Sequence, residues 1–446
     1  MDRISFILKN NKLIQELLKK LNISELNEMQ LASIEAYTKN KDLVLLSPTG
    51  TGKTLAYLIP LFQSLQKDLA KVQAMIIVPN RELAIQIEQV FKSITTDFKI
   101  NACYGGHSNS IEKQNLKSPP VVLVGTPGRL LAHLQHNNFE YKNINTIVLD
   151  EFDKSLEFGF QEEMKSIFNI LKNIKKRILT SATNLNEIPE FVRIQEFSKL
   201  DFLAIKDIES SLTYYTIETE EKHKIHTIEK LMYQLKGQSL LFCNHREAVE
   251  RVSESLKELN IHNVCFHGAM EQAEREESLI LFRNKSSNLL ICTDLASRGL
   301  DIPEIQNIIH YQFPINEESY IHRNGRTARI NNLGNVFIIL TGQNYLPDYI
   351  KHEIHKFEVN EIETELPITE FVTIKFNKGK KDKVNKIDIV GLLTQKGKVQ
   401  KENIGLIEVK DFTAYIALKN TNINNLIKIL KEEKIKNQKL RIEAIK

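Results

Sequence analysis

The sequence has no tryptophan and only four cysteines in 446 residues. Cys103, Cys243, Cys265 and Cys292 lie far apart with no CxxC pair, which argues against a disulfide framework or a zinc site. Each sits in or beside an apolar run, where a buried thiol is ordinary. Long apolar runs are missing too: the longest are short stretches such as Ala74–Pro79, far below the roughly 20 residues a membrane span needs. The opening MDRISFILKNNK lacks the charged, apolar, small-residue layout of a secretory signal, so a cytoplasmic location without membrane attachment is expected. With 42% hydrophobic and 26% charged residues the chain is globular rather than disordered, and its length allows two to four domains.

The small net charge of +4 hides an asymmetry. Phe371–Lys446 holds 18 Lys and Arg against 8 Asp and Glu, a net +10, so the preceding residues carry −6. A basic appendage on a mildly acidic body fits a polyanion partner, because phosphate neutralisation dominates nonspecific nucleic-acid affinity. A solvated lysine-rich surface is equally open on charge alone.

Two rounds of strand then helix fill most of the chain. In the first, the short apolar runs are Asp42–Leu46, Ala74–Val78, Val121–Val124, Thr146–Leu149 and Arg177–Thr180. Between them lie amphipathic stretches such as Glu82–Ile94. In the second, the runs are Ser239–Phe242, Asn263–Phe266, Leu289–Cys292, Asn307–Tyr311 and Asn335–Leu340, with helices such as Glu247–Leu259. Such alternation predicts parallel sheets covered on both faces, with ligands beyond the carboxyl ends of the strands. The expected organisation is α/β: two tandem parallel-sheet lobes at 1–205 and 217–358, joined by a linker at 206–216. A second linker at 359–367 leads to a small α+β domain at 368–446. That last unit reads β-α-β-β-α-β, the RRM-like order: Val372–Phe376, Lys386–Thr394, Ile404–Glu408, Thr413–Leu418, Ile423–Lys434 and Leu440–Ala444.

The sharpest local signal is SPTGTGKT, Ser47 to Thr54, between the first strand and the helix Leu55–Leu65. Backbone N–H groups and a helix N-terminus there converge on anionic oxygens. Gly50 and Gly52 permit close approach, Lys53 brings charge to the β- and γ-phosphates, and the Thr54 hydroxyl can ligate Mg²⁺. Ser47 stands where the general phosphate loop has glycine. The strand Thr146–Leu149 then delivers DEFD, Asp150 to Asp153. Asp150 suits the metal, largely through water, and Glu151 the attacking water. In the second lobe HRNGRTAR, His322 to Arg329, fits a solvated helix face or an RNA-contacting patch. More specifically, Arg326 and Arg329 fit charge donors to a γ-phosphoryl transition state, a contact worth about 10³–10⁵ in rate.

Taken together, PNRELA (Pro79–Ala84), Gly105–Gly106, TPGR (Thr126–Arg129), DEFD, SAT (Ser181–Thr183), TDLASRGLDI (Thr293–Ile302) and HRNGRTAR resemble, in order and spacing, the DEAD-box ATP-dependent RNA helicases. The likeness covers nearly all of residues 1–345 and implies two RecA-like lobes that close on ATP and RNA and bend one strand of a short duplex. It implies an ATP site of Phe6, Gln30, Ser47, Pro48, Thr49, Gly50, Thr51, Gly52, Lys53, Thr54 and Asp301, with Phe6 stacking on the base, Gln30 reading adenine and Asp301 touching the ribose. RNA backbone contacts are implied for Arg81, Gly106, Thr126 and Arg129, and for His267, Gly268, Gln272, Arg275, Thr293 and Arg298. Ser181, Thr183 and His322 would couple hydrolysis to strand separation. Phe152 replaces the alanine of DEAD, Asn80 the threonine of PTRELA, and ELNEMQ around Gln30 lacks both prolines of PTPIQ.

Residues 368–446 resemble the C-terminal RNA-binding domain of the DbpA group, through NKGKKDKVNKIDIVGLL (Asn377–Leu393) and IGLIEVKDFTAYIAL (Ile404–Leu418). The resemblance implies a large-subunit ribosomal RNA hairpin as partner and a role in ribosome assembly. Lys378, Lys380, Lys381, Lys383 and Lys386 are the expected contacts. Phe412 reads equally as a core residue or a base-stacking one, with Tyr415 on the opposite sheet face. No heptad demands a dimer, so a monomer is expected.

Overall fold

The computed structural model describes residues 12–21, 23–39, 42–48, 50–67, 69, 71–95, 97–105, 109–185, 187–203, 212–294, 305–327, 333–342, 346–350, 353–361, 369–419 and 423–445. The chain divides into two compact units near residues 207–208, with the basic tail in the second. Among the described residues no helix is long and apolar enough to cross a membrane.

In the first unit β1 (Asp42–Leu46) is buried throughout, which its sequence DLVLL explains. It joins β2 (Ala74–Ile77), β3 (Ile100–Cys103), β4 (Val122–Gly125), β5 (Thr146–Leu149), β6 (Lys176–Ser181) and β7 (Phe197–Asp201). The order is β3-β4-β2-β5-β6-β1-β7 and every pairing is parallel. Alternate residues supply a core on each face. Leu43, Ile76, Val124 and Ile178 pack with Tyr57, Leu61, Ile87 and Phe91 of the helices Lys53–Ser64 and Arg81–Ile94. Val44, Ile77, Leu123 and Leu179 pack with Leu130, Leu134, Met164 and Phe168 of Pro127–Gln135 and Gln161–Ile170. The two strands absent from the sequence reading, β3 and β7, are the sheet's edges. Their polar alternation (INAC, FSKLD) is what an edge tolerates and what weakens the signal.

The second unit repeats the plan. Its strands are β8 (Leu212–Thr219), β9 (Gln238–Cys243), β10 (Val264–Phe266), β11 (Leu289–Thr293), β12 (Ile305–His310), β13 (Gly334–Thr341) and β14 (Ile354–Lys356), in the order β10-β11-β9-β12-β13-β8-β14. The expectation of a linker through Thr216 is corrected. Leu212–Thr219 is a strand between β13 and β14, in register with Gly334–Thr341 over eight residues. LTYYTIET is rich in β-branched and aromatic residues, but its polar half disguises it as loop. The second expected linker also starts late, since Phe357 and Val359 pack on this core.

In the tail β15 (Phe371–Phe376), β16 (Ile404–Val409), β17 (Ala414–Lys419) and, after the short hairpin β18 (Lys434–Ile435) and β19 (Gln438–Lys439), β20 (Ile442–Ile445) form an antiparallel sheet. Its order is β16-β17-β15-β20, and the helices Lys386–Gln395 and Ile423–Leu430 cover one face. The second helix stops at Leu430 rather than Lys434. Lys436 and Asn437, both at positive φ (51° and 62°), make the turn of the small hairpin instead.

Candidate nucleotide and RNA site

The phosphate loop leaves the carboxyl end of β1, where the Ser47 N–H donates to the Ser181 carbonyl at 3.0 Å. Gly50 and Gly52 have φ of 82° and 91°, the left-handed backbone that glycine takes without cost. Lys53 is buried and its Nζ donates to the carbonyls of Ser47 (2.5 Å) and Pro48 (2.9 Å), so the loop is curled around its own cation. The Ser47 and Thr51 hydroxyls bond at 2.8 Å across it. Asn27 and Gln30 form a reciprocal helix cap (2.9 and 3.1 Å), and from it Asn27 Nδ2 donates to the Thr51 carbonyl and Gln30 Nε2 to that of Gly52. A Cβ on Gly52 would collide with Gln30 Nε2, so this brace depends on glycine. Asn27, which stands at the threonine position of PTPIQ, therefore supports the loop that Gln30 touches.

At the end of β5 the Asp150 carboxylate is enclosed. Tyr57 Oη donates to its Oδ2 at 2.8 Å, and Thr180 Oγ1 (2.5 Å) and the Glu151 N–H (3.0 Å) donate to its Oδ1. Burial and the Asp150 charge push the Tyr57 phenol well above its usual pKa, so it stays a donor. Thr54, in the first turn of the helix Lys53–Ser64, and Asp150 offer oxygen ligands only, the donor set a hard divalent cation takes while keeping several waters. Glu151 sits at φ 48°, an uncommon backbone for a side chain, and its N–H is shared with Thr180 Oγ1 at 3.2 Å. Phe152 is fully buried in the apolar core, so the departure from alanine leaves the flanking acids in place. Asp153 Oδ2 accepts from Thr183 Oγ1 (2.9 Å) and the Ala182 N–H (3.3 Å), while Ser181 Oγ donates to the Thr183 carbonyl at 2.6 Å. The acidic segment and the SAT segment are one bonded unit.

The RNA candidates of this lobe stand at neighbouring strand ends. Arg81 pairs with Glu82 at 2.9 Å, and Asn80 caps that helix by accepting from Leu83 N. Thr126 precedes the helix carrying Arg129. Arg129 Nε donates to Glu112 Oε2 at 2.8 Å, and His133 Nε2 meets the same oxygen at 2.7 Å. Burial pushes Glu112 up, but the bonds from His133 and Arg129 more than offset it and hold the carboxyl below its usual range.

In the second unit His267 is buried beside Glu250 (3.3 Å), and burial lowers its pKa. Gln272 and Arg275 lie on the helix Gln272–Arg283, with Arg275 over the Phe266 ring at 4.7 Å. Thr293 ends β11, and His322 and Arg326 are buried on the arginine segment. That segment is fixed by Arg323, which donates to both Asp294 oxygens (2.6 and 2.7 Å), to Asn244 Oδ1 (2.8 Å) and to the Gln312 carbonyl (2.8 Å). Phe6, Thr49, Gly106, Arg298, Asp301 and Arg329 lie outside the described residues.

The tail answers the aromatic question. Phe412 is 68% exposed in the turn before β17, so it is not a core residue. Thr373, Lys375 and Tyr415 share the sheet face away from the helices, and that face is docked on the second lobe. Thr373 meets Asn284 (3.0 Å) and Ser286 (2.6 Å), while Lys375 (2.8 Å) and Tyr415 Oη (3.0 Å) meet Glu277. Lys380, Lys381, Lys383 and Lys386 are exposed, whereas Lys378 is tied to Asp382 at 3.0 Å. The Gly379–Lys383 turn is anchored by Lys380 and Lys381 N–H bonds (2.8 Å each) to the Lys410 and Asp411 carbonyls.

Tyr57, Thr180, Asp153, Glu112, Asp294 and Arg323 are site residues that the sequence reading passed over. Asp153, Asp294 and Arg323 lie inside motifs already quoted without a role of their own, and Thr180 leaves a trace as a polar side chain inside the apolar strand ILTS.

A phosphate loop facing strand-end acids on one parallel-sheet lobe, followed by a second lobe of the same plan, defines a RecA-like nucleoside triphosphatase. Family descriptions match in succession: DEAD/DEAH box helicase over residues 27–191, helicase conserved C-terminal domain over 223–331 and DbpA RNA binding domain over 373–444. The chain is 29% identical to ATP-dependent RNA helicase DbpA of Bacillus subtilis, over 97% of this chain and 98% of that one. It is 32% identical to ATP-dependent RNA helicase eIF4A of Kluyveromyces lactis, over 82% of this chain and 94% of that one. The fold is also that of S. cerevisiae Dbp5 bound to RNA and ADP BeF3, with a TM-score of 0.70 at 22% identity over 78% of this chain and 93% of that one. The chain belongs to the DEAD-box ATP-dependent RNA helicases: it is an RNA-dependent ATPase that uses ATP and binds RNA.

Proposed function

We propose that this helicase opens or remodels short duplexes of large-subunit ribosomal RNA during ribosome assembly, as a cytoplasmic monomer that uses Mg²⁺. The observation carrying the catalytic part is the bonded unit of Tyr57, Asp150, Glu151 and Thr180 at the carboxyl ends of β5 and β6, together with the phosphate loop that Lys53 holds curled after β1. Ser47 to Thr54 bind the triphosphate, Gln30 reads the adenine, Phe6 stacks on it and Asp301 contacts the ribose. Thr54 and Asp150 would hold the metal, which would supply positive charge to the phosphates. Glu151 orients the attacking water and takes its proton, and Arg326 and Arg329 give positive charge to the transferred phosphoryl group. Arg81, Gly106, Thr126, Arg129, His267, Gly268, Gln272, Arg275, Thr293 and Arg298 grip the sugar-phosphate backbone without reading bases. Ser181, Thr183 and His322 couple the two processes, and the Asp153–Thr183 bond supports that role for the first pair.

Ribosomal targeting is supported by the exposed lysine turn, since the sheet face of the tail is already occupied. The test is ATPase stimulation across a panel of large-subunit ribosomal RNA fragments and unrelated RNAs, with the full chain and with Lys380, Lys381, Lys383 and Lys386 all replaced by Ala. One fragment should be preferred at least tenfold, and the quadruple variant should lose that preference while keeping general stimulation. Equal stimulation by every RNA would overturn the ribosomal assignment.

A further inference from the structure

The helix Gln272–Arg283 bears RNA candidates at its start and a docked domain one turn later. Gln272 Nε2 donates to Glu276 Oε1 at 2.7 Å. Gln272 Oε1 is buried without a hydrogen-bond partner, so the described bond to Glu276 is what fixes this carboxamide. The other Glu276 oxygen meets Lys410 Nζ of the tail at 3.3 Å, and Lys410 is gripped from its own sheet by Glu408 at 2.6 Å. The neighbouring Glu277 is answered by Lys375 and Tyr415. Two carboxylates on an RNA-facing helix would repel phosphate, and here tail lysines neutralise both. Burial lowers the Lys410 pKa, but the two carboxylates more than offset that and keep it above its usual value.

We propose that the tail is a built-in part of the second lobe's RNA surface, its sheet face serving as the docking surface and Lys410 acting through Glu276 as a positioning residue for Gln272. This rests on the reading of Gln272 as an RNA contact. The consequence is that the tail tunes affinity for any RNA, independently of a preferred hairpin recognised by the lysine turn.

A double-mutant cycle in the full chain tests it, reading the poly(U) concentration that half-saturates ATPase and kcat at saturating RNA. Lys410→Met keeps the aliphatic stem and removes the charge. It should raise the half-saturating concentration about threefold to tenfold, the worth of one hydrogen bond, with kcat unchanged. Gln272→Ala should raise it similarly, and the double variant should be no worse than the weaker single. Lys410→Arg should restore near wild-type demand. Lys428→Ala, which removes an exposed tail charge away from the helix, should have little effect. Losses that multiply in the double variant, or a Lys410→Met effect no larger than that of Lys428→Ala, would overturn the relay alone. A Gln272→Ala chain with unchanged RNA demand would overturn both the relay and the RNA role of that helix.

Discussion

The Tyr57 hydroxyl donates to Asp150 Oδ2 at 2.8 Å across the phosphate-loop helix and β5. Thr180 grips the other oxygen, and its hydroxyl also receives the Glu151 N–H. Both residues bond to the acids themselves and so act by aiming them. A hydrogen bond to a charged group is worth about 1.5–3 kcal/mol, so Tyr57→Phe should lower kcat roughly tenfold or more. Thr180→Val should lower it further because it releases two partners, and Thr180→Ser should recover most of the loss. Steady-state ATPase with saturating RNA measures this; three variants at wild-type kcat would remove Asp150 positioning from the account.

Glu151→Gln keeps the shape and the backbone bonds but removes the base. Turnover should fall at least a hundredfold while ATP and RNA binding stay within a few-fold of wild type. Filter binding beside single-turnover hydrolysis separates the two, and full steady-state activity would refute the base assignment.

Arg323 is fully buried and makes its four bonds to Asp294, Asn244 and the Gln312 carbonyl. Its loss takes two charge-assisted bonds from the Asp294 carboxylate. Arg323→Ala should cost about 3–5 kcal/mol in the unfolding of the second unit, seen as a lower urea midpoint. A change below about 1 kcal/mol would mean that the arginine segment is held by other contacts.

His310 is buried between Phe242 and Tyr320, its Nε2 donating to Asn324 Oδ1, with the Arg323 guanidinium close to Nδ1. Burial and then the Arg323 charge pull its pKa from 6.5 down to about 3. Below pH 6.5 the unfolded chain binds a proton that the folded one refuses, so stability falls as pH drops from 6.5 towards 3 and this contribution is unchanged above 6.5. The slope is about 1.4 kcal/mol per pH unit for the one proton. Urea midpoints between pH 4.5 and 7.5 should show the fall, and His310→Gln should flatten it. Equal slopes in both proteins would contradict a neutral buried imidazole.

Strands with unbroken apolar runs were legible from sequence because burial on both faces leaves one reading: Asp42–Leu46 and Thr146–Leu149 are found to the residue. The misses share a cause. Leu212–Thr219 mixes polar with β-branched and aromatic residues and Phe197–Asp201 mixes charged with apolar ones, and only pairing partners distant in sequence make them strands. The phosphate loop and the acids were legible because their chemistry is local. Tyr57, Thr180 and Glu112 were not, since each acts on a residue far along the chain, 93 positions in the case of Tyr57. The docked tail face is invisible in the sequence for the same reason: Tyr415 meets Glu277, 138 positions away.

The most direct test is ATP turnover by the full chain with matched single strands of RNA and of DNA, at equal nucleotide concentration and fixed salt. Stimulation by the ribose strand at least tenfold above that by the deoxyribose strand is the expected result. Equal stimulation by both, or turnover indifferent to either, would contradict an enzyme whose hydrolysis is gated by gripping RNA.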